Sequence, residues 1–216
     1  MPNRLSPVVL NLIIINVLVF LFIQFNLERM YNEQWILYFA VFPSNLLTGD
    51  IFTFFEPVQV VSYMFTHIEI FHIFFNMFAL ASIGPPLEAL MGPRRFLTLY
   101  LFAGLFAGAM IALLQGFSPN FPINAPTVGA SGCITGLLVA WAYYYPDQKL
   151  GLLFLPFRFS ARGFARGFAM ISGVFLVLDY AGVETVPISH LGHLAGMLGA
   201  VIILYGPRLI NPSGGR

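Results

Sequence analysis

Three short stretches of this chain carry the residue types and spacings of a nucleophilic catalyst. The first is Gly129-Ala130-Ser131-Gly132-Cys133-Ile134-Thr135-Gly136, preceded by Pro126 and Thr127. Gly129 lets a loop turn sharply into a helix. Ser131 then falls in the first helical turn, where backbone N–H groups have no partner within the helix. Those donors, with the helix dipole behind them, suit an oxyanion developing on a substrate carbonyl. A serine hydroxyl is a poor nucleophile without a base. The second stretch, Ser189-His190-Leu191-Gly192-His193-Leu194-Ala195-Gly196, offers one. The third, His72-Ile73-Phe74-Phe75-Asn76, sets two hydrogen-bond donors four residues apart, on one helical face. That suits the other half of an oxyanion hole. The chemistry is acyl transfer, with Ser131 as nucleophile and His193 as base.

Singly, each residue has a plainer role. A serine in a membrane helix often bonds back to a carbonyl of its own helix. A histidine near a helix end often packs at the membrane interface, and an asparagine often bridges two helices. Asp179 can cap or pair near the surface, and Cys133 can be a small packing residue. The catalytic reading needs these residues in one place, so it depends on the elements that carry them.

Composition sets the kind of element. Of 216 residues, 58% are hydrophobic and 9% are charged, against roughly 25% charged in soluble domains. A net charge of +1 offers no attraction to polyanions and excludes a nucleic-acid binder. A single cysteine excludes a disulfide framework and a cysteine zinc site. What remains is an integral membrane protein, expected as one domain over residues 1–216. A bilayer core takes about 20 apolar residues per helix. Six segments are expected to span it: 8–25, 70–84, 96–115, 129–145, 164–182 and 188–206. The second is short and is expected to end at Gly84-Pro85-Pro86. The first lacks a small-residue cleavage site and is expected to be a retained anchor. The fold class is all-α, six transmembrane helices with a long interfacial loop between the first two. That loop, residues 26–66, holds Trp35, Tyr38, Phe39, Phe54 and Phe55, which suits an amphipathic element at the membrane surface. Residues 151–157 are apolar but too short to span and are expected at the cytoplasmic interface.

Six spans place both termini on one side. With that side cytoplasmic, it holds Arg4, Arg94, Arg95, Lys149, Arg158, Arg162, Arg166, Arg208 and Arg216, nine of the ten basic residues, and only Arg29 lies outside. In this orientation His72, Asn76, Ser131, Asp179 and His193 all fall within roughly 10 Å of the outer boundary at 1.5 Å per helical residue. Polar side chains inside a bilayer are costly, so four helices presenting theirs at one depth suggest a shared site. Gly132 and Gly136 form a small-residue stripe on the fourth span, and Gly192, Gly196 and Ala200 form one on the sixth. If the stripes meet, His193 comes close to Ser131.

With these motifs in this order, the chain resembles the rhomboid family of intramembrane serine proteases over residues 54–205. The resemblance rests on Met64-Phe65-Thr66-His67 leading into His72 and Asn76, on Gly84-x-x-x-Glu88 followed by Gly92, on Gly129-Ala130-Ser131-Gly132, and on His193-Leu194-Ala195-Gly196. It implies a rhomboid-like bundle and a Ser131–His193 dyad with no third carboxylate. It implies an oxyanion held by His72, Asn76 and the Ser131 backbone N–H, with Gly129, Gly132, Gly136 and Gly196 in support. It implies cleavage of transmembrane protein substrates near their outer ends, where small residues and unstable helix let a peptide extend. Many members place an aromatic four residues after the nucleophile, stacked on the catalytic imidazole; here that position is Thr135.

His190 lies one turn nearer solvent than His193, and the His-x-x-Gly register favours His193 as base. Three rivals stand beside this reading: an inactive family member that binds client helices, a small-solute transporter, and a metal enzyme using His72, His190 and His193. No inverted repeat supports a transporter, and His67-Ile68-Glu69 is not the H-E-x-x-H zinc pattern. No cofactor and no metal are called for. The expected partners are transmembrane substrates and lipids, with no nucleic acid and no fixed oligomeric state. The expected location is a bacterial inner membrane.

Overall fold

In lipid, a backbone must satisfy its own hydrogen bonds, and the six apolar segments do so as helices. The computed structural model describes residues 6–26, 36–43, 56–115, 126–151, 158–183 and 188–210. Its long helices are α1 (Pro7–Asn26), α4 (Ile70–Met91), α5 (Pro93–Leu114), α6 (Ser131–Tyr144), α7 (Ala161–Tyr180) and α8 (His190–Ile210). Between the first two lie the one-turn helices α2 (Ile36–Phe39) and α3 (Gln59–Ser62), and a 3-10 turn, Tyr63–Phe65. Four helices, α1, α4, α5 and α7, are long and apolar enough to cross a membrane. At 14 residues α6 is about 21 Å long, and it lies in the middle of the bundle rather than at its rim.

Small residues set that middle. On α6, a Cβ on Gly136 would collide with Ala103 of α5 and lie 3.1 Å from the Gly196 carbonyl of α8. On α8, a Cβ on Gly199 would sit 3.1 Å from Phe106 of α5. Helices α5, α6 and α8 thus approach at backbone distance. Around them Tyr63, Met64, Leu99, Tyr100, Ile111, Cys133 and Leu137 are fully buried. Cys133 is the packing residue expected, its Sγ 3.9 Å from Met64 Sδ.

Helix α4 corrects one expectation. It does not stop at Gly84-Pro85-Pro86 but runs through both prolines to Met91. Interior prolines cost a helix about 3 kcal/mol or more. Packing on either side offsets this: Gly84 lets Val9 of α1 come close, and Leu87 and Glu88 are buried. Gly92, at φ +80°, then turns the chain into α5, and its N–H closes on the Glu88 carbonyl at 2.9 Å.

The protein is mostly helical rather than wholly so. Lys149–Gly151 (β1) pairs antiparallel with Arg158–Ser160 (β2), a hairpin that the sequence reading did not expect. Residues 152–157, the rest of the expected interfacial segment, lie outside the described residues. So does much of the long loop, including Trp35, Phe54 and Phe55. The described parts of that loop are packed down. Val41 and Thr127 exchange two 2.9 Å backbone bonds, and the Phe42 N–H reaches Gln59 Oε1 at 3.4 Å.

Candidate active site

The turn into α6 is built by neighbours from the α3–α4 region. The Gly129 N–H donates to the Tyr63 carbonyl at 2.8 Å, and the Ala130 N–H donates to His67 Nε2 at 3.3 Å. Gly129 sits at φ +116°, where a side chain would be strained, and a Cβ there would lie 2.5 Å from His72 Nε2. The glycine therefore serves two ends, the turn and the seat of the His72 ring. Ser131 is the first residue of α6 and half-buried; the expected start at residue 129 belongs to the turn instead. Across the cap, the Ile134 N–H donates to the Ala130 carbonyl at 3.0 Å. The amides of the first turn point the same way, out of the N-terminal mouth of the helix, where no carbonyl of the helix meets them.

His193 stands one turn into α8 and is buried. Its helix is locked to α6 at this level. A Cβ on Gly196 would overlap the Gly132 carbonyl, and one on Gly132 would sit 3.5 Å from the Gly192 carbonyl. The stripes expected to meet do meet. The Thr135 hydroxyl lies 3.0 Å from both the Gly132 and the His193 carbonyls, so the seam is pinned at the histidine's own backbone. The His193 ring rests against Phe168 of α7, with ring centroids 5.3 Å apart. His190 is buried and stacks flat on Phe175, at 5.0 Å and 12°.

On α4, His72 is half-buried beside Gly129. Asn76 is buried, and its amide donates to the His72 carbonyl at 3.1 Å, a bond within its own helix. Asp179 is half-buried at the far end of α7. The helix ends thus set His72 against Gly129, two residues before Ser131, and set the first turns of α6 against the helix that bears His193. No hydrogen bond joins Ser131 to His193 among the described residues, a bond that often tightens only with substrate in place. No group of three His, Cys, Asp or Glu residues among the described residues could hold a metal ion.

His67 is a residue that the sequence motifs include but to which they give no role. It is fully buried, it accepts from the amide preceding Ser131, and its ring meets His72 edge-on at 4.9 Å. It lies between the 3-10 turn and α4, outside the spanning helices. Burial, and then the neighbouring His72, push its pKa down to about 3. It is therefore neutral, as an acceptor for a backbone N–H must be. Its place at the end of Met64-Phe65-Thr66-His67, five residues before His72, is the signal the sequence carries.

A family model described as a Rhomboid domain matches residues 55–208. Rhomboid protein 1, mitochondrial, of Saccharomyces cerevisiae is 31% identical over 169 residues, 74% of this chain and 44% of that protein. Presenilin-associated rhomboid-like protein, mitochondrial, of Homo sapiens is 28% identical over 148 residues, covering 68% and 37%. RHOMBOID-like protein 12, mitochondrial, of Arabidopsis thaliana is 29% identical over 184 residues, covering 79% and 48%. The chain spans less than half the length of these relatives. Their names place them in mitochondria, which gives the expected bacterial inner membrane no support.

Proposed function

Since the chain belongs to the rhomboid family of membrane proteins, we propose that it is an intramembrane serine endopeptidase acting on transmembrane protein substrates. The observation that carries this is the α6–α8 seam. Gly132 on Gly196, with Thr135 on the His193 carbonyl, fixes the helix that begins at Ser131 against the one that bears His193. In the reaction, Ser131 Oγ attacks the substrate carbonyl carbon while His193 takes its proton. The negative charge formed on the carbonyl oxygen is held by the Ser131 N–H, His72 and Asn76. As the intermediate collapses, the C–N bond breaks and His193 returns the proton to the leaving amine. Water, deprotonated by the same histidine, then releases the acyl group.

In this proposal six helices form one membrane domain, α6 and α8 completing the four that are long enough to cross. Both termini lie on the side that holds nine basic residues, and the site lies toward the other. A second reading, an inactive member that holds client helices, draws on the bond Asn76 makes within its own helix. The test is gel-based cleavage of a labelled transmembrane substrate by protein purified in detergent. Ser131→Ala and His193→Ala should each abolish cleavage, and His190→Ala should retain it. Cleavage surviving both of the first two substitutions sinks the dyad; a wild type that binds the substrate without cutting it supports the second reading.

A further inference from the structure

Resting on the proposed Ser131–His193 pair, we infer that Phe168 of α7 is a positioning residue that holds the His193 ring where it can take the serine proton. A neutral histidine acting as base keeps one ring nitrogen free for the serine and carries its hydrogen on the other. In hydrolases with a third carboxylate, a hydrogen bond to that second nitrogen fixes tautomer and ring. Here His193 Nδ1 is buried and meets no hydrogen-bond partner among the described residues. Packing must then fix the rotation of the ring.

Two rings touch it. Phe168 lies at 5.3 Å, tilted by 45°, and His190 at 6.3 Å and 89°. Phe168 is the nearer, and it is braced in turn. Phe164, one turn earlier, lies 6.4 Å from it, and both pack on the cluster of Leu138, Ala165 and Met197. Phe175 stacks on His190 two turns further along. Positions 164, 168 and 175, with buried Ser172, share one face of α7, so each histidine of α8 meets an aromatic from that face.

Thr135 gives this its meaning. At the position where the resemblance calls for a stacking aromatic, Thr135 is buried and engages the His193 carbonyl. One helix fixes the histidine's backbone, and another supplies the ring that fixes its side chain. The aromatic support of the base has moved from α6 to α7.

The test uses the full chain in detergent with a labelled transmembrane substrate, and measures kcat, KM and the rate at which a fluorophosphonate labels Ser131. Phe168→Leu keeps most of the volume and removes the ring; Phe168→Tyr keeps the ring. Phe168→Leu should lower kcat and labelling about 2- to 12-fold, the effect of losing one aromatic pair. KM should stay within about twofold, and Phe168→Tyr should restore the rate. Met170→Ala, at a side chain 72% exposed, should match wild type. Should Phe168→Leu not fold, Phe168→Met is the second ringless variant. Wild-type kcat in the ringless variants overturns the inference, and so does Phe168→Tyr being as impaired as they are. In either case the protease reading stands. A wild type that neither cleaves nor labels removes that reading, and the inference with it.

Discussion

Glu88 is where the structure makes its most exposed commitment on stability. Helix α1 begins with Pro7, which has no N–H to satisfy. The Leu10 N–H already reaches the Ser6 carbonyl at 2.9 Å. That leaves two first-turn amides, and one carboxylate takes both: Val8 to Glu88 Oε1 at 3.2 Å and Val9 to Oε2 at 3.0 Å. Glu88 is 4% exposed and stands just beyond the two prolines of α4, so it caps one helix from within another. A hydrogen bond to a charged group contributes about 1.5–3 kcal/mol. Val9 is fully buried and keeps no alternative, whereas half-buried Val8 can recover water. Glu88→Ala should therefore cost about 3 kcal/mol, which for a chain of this size lowers the melting temperature by about 6–12 °C. Glu88→Gln keeps one acceptor and should cost about half as much. The assay is built in, because Cys133 is the single cysteine and is fully buried. A thiol-reactive fluorogenic dye added during a thermal ramp reports its exposure. A Glu88→Ala variant melting within about 2 °C of wild type would refute the reasoning, as would a Gln variant less stable than the Ala one.

Three further outcomes follow from the site. With a folded-state pKa near 3 against 6.5 unfolded, His67 takes up its proton only on unfolding. Its share of stability is thus full above pH 6.5 and is lost as pH falls toward 3; His67→Gln should flatten the decline in melting temperature between pH 7 and pH 4, and an unchanged decline would show that His67 does not contribute. Thr135→Val should cost about 1 kcal/mol in the dye assay and lower kcat, since it loosens the hold on the His193 backbone; full activity would remove that anchor from the argument. Gly196→Ala should push α8 off the Gly132 carbonyl, and a shift near 1 Å costs about 10²-fold in rate; kcat/KM within tenfold of wild type would mean the seam absorbs the methyl.

What could be read from the chain was periodic or local. Apolar length gave the helices, and the glycine spacing gave the seam between α6 and α8. The failures share one physical origin. His67 finds the Ala130 amide 63 residues away, and Glu88 finds α1 about 80 residues away. Phe168 meets His193 across an interhelical contact that no spacing encodes. Each pairs a side chain with a group fixed only by tertiary packing. The α4 boundary failed for a related reason. A Pro-Pro step ends an isolated helix, but here the turn beyond it is anchored by Glu88 and Leu87 against other elements, and in lipid an unwound backbone has no water to turn to.

The same logic explains why the chemistry tolerates so few polar groups. The proposed nucleophile and base sit on different helices, so their separation depends on how closely two backbones approach rather than on long, adjustable side chains. Glycine gives the closest and least compliant approach, and it places the Gly132 carbonyl against α8 one turn from His193. The polar residues then divide the remaining tasks. Thr135 sets the height of the histidine's backbone, and His67 and the Tyr63 carbonyl set the turn that presents Ser131. His72 fills the space that the missing Gly129 side chain leaves. A bilayer penalises every unpaired polar atom, so few polar groups can be left over to meet a substrate. The scarcity of charge that marks the composition is thus the condition under which the proposed serine and histidine pair, on helices held by backbone contacts, would act without a third carboxylate.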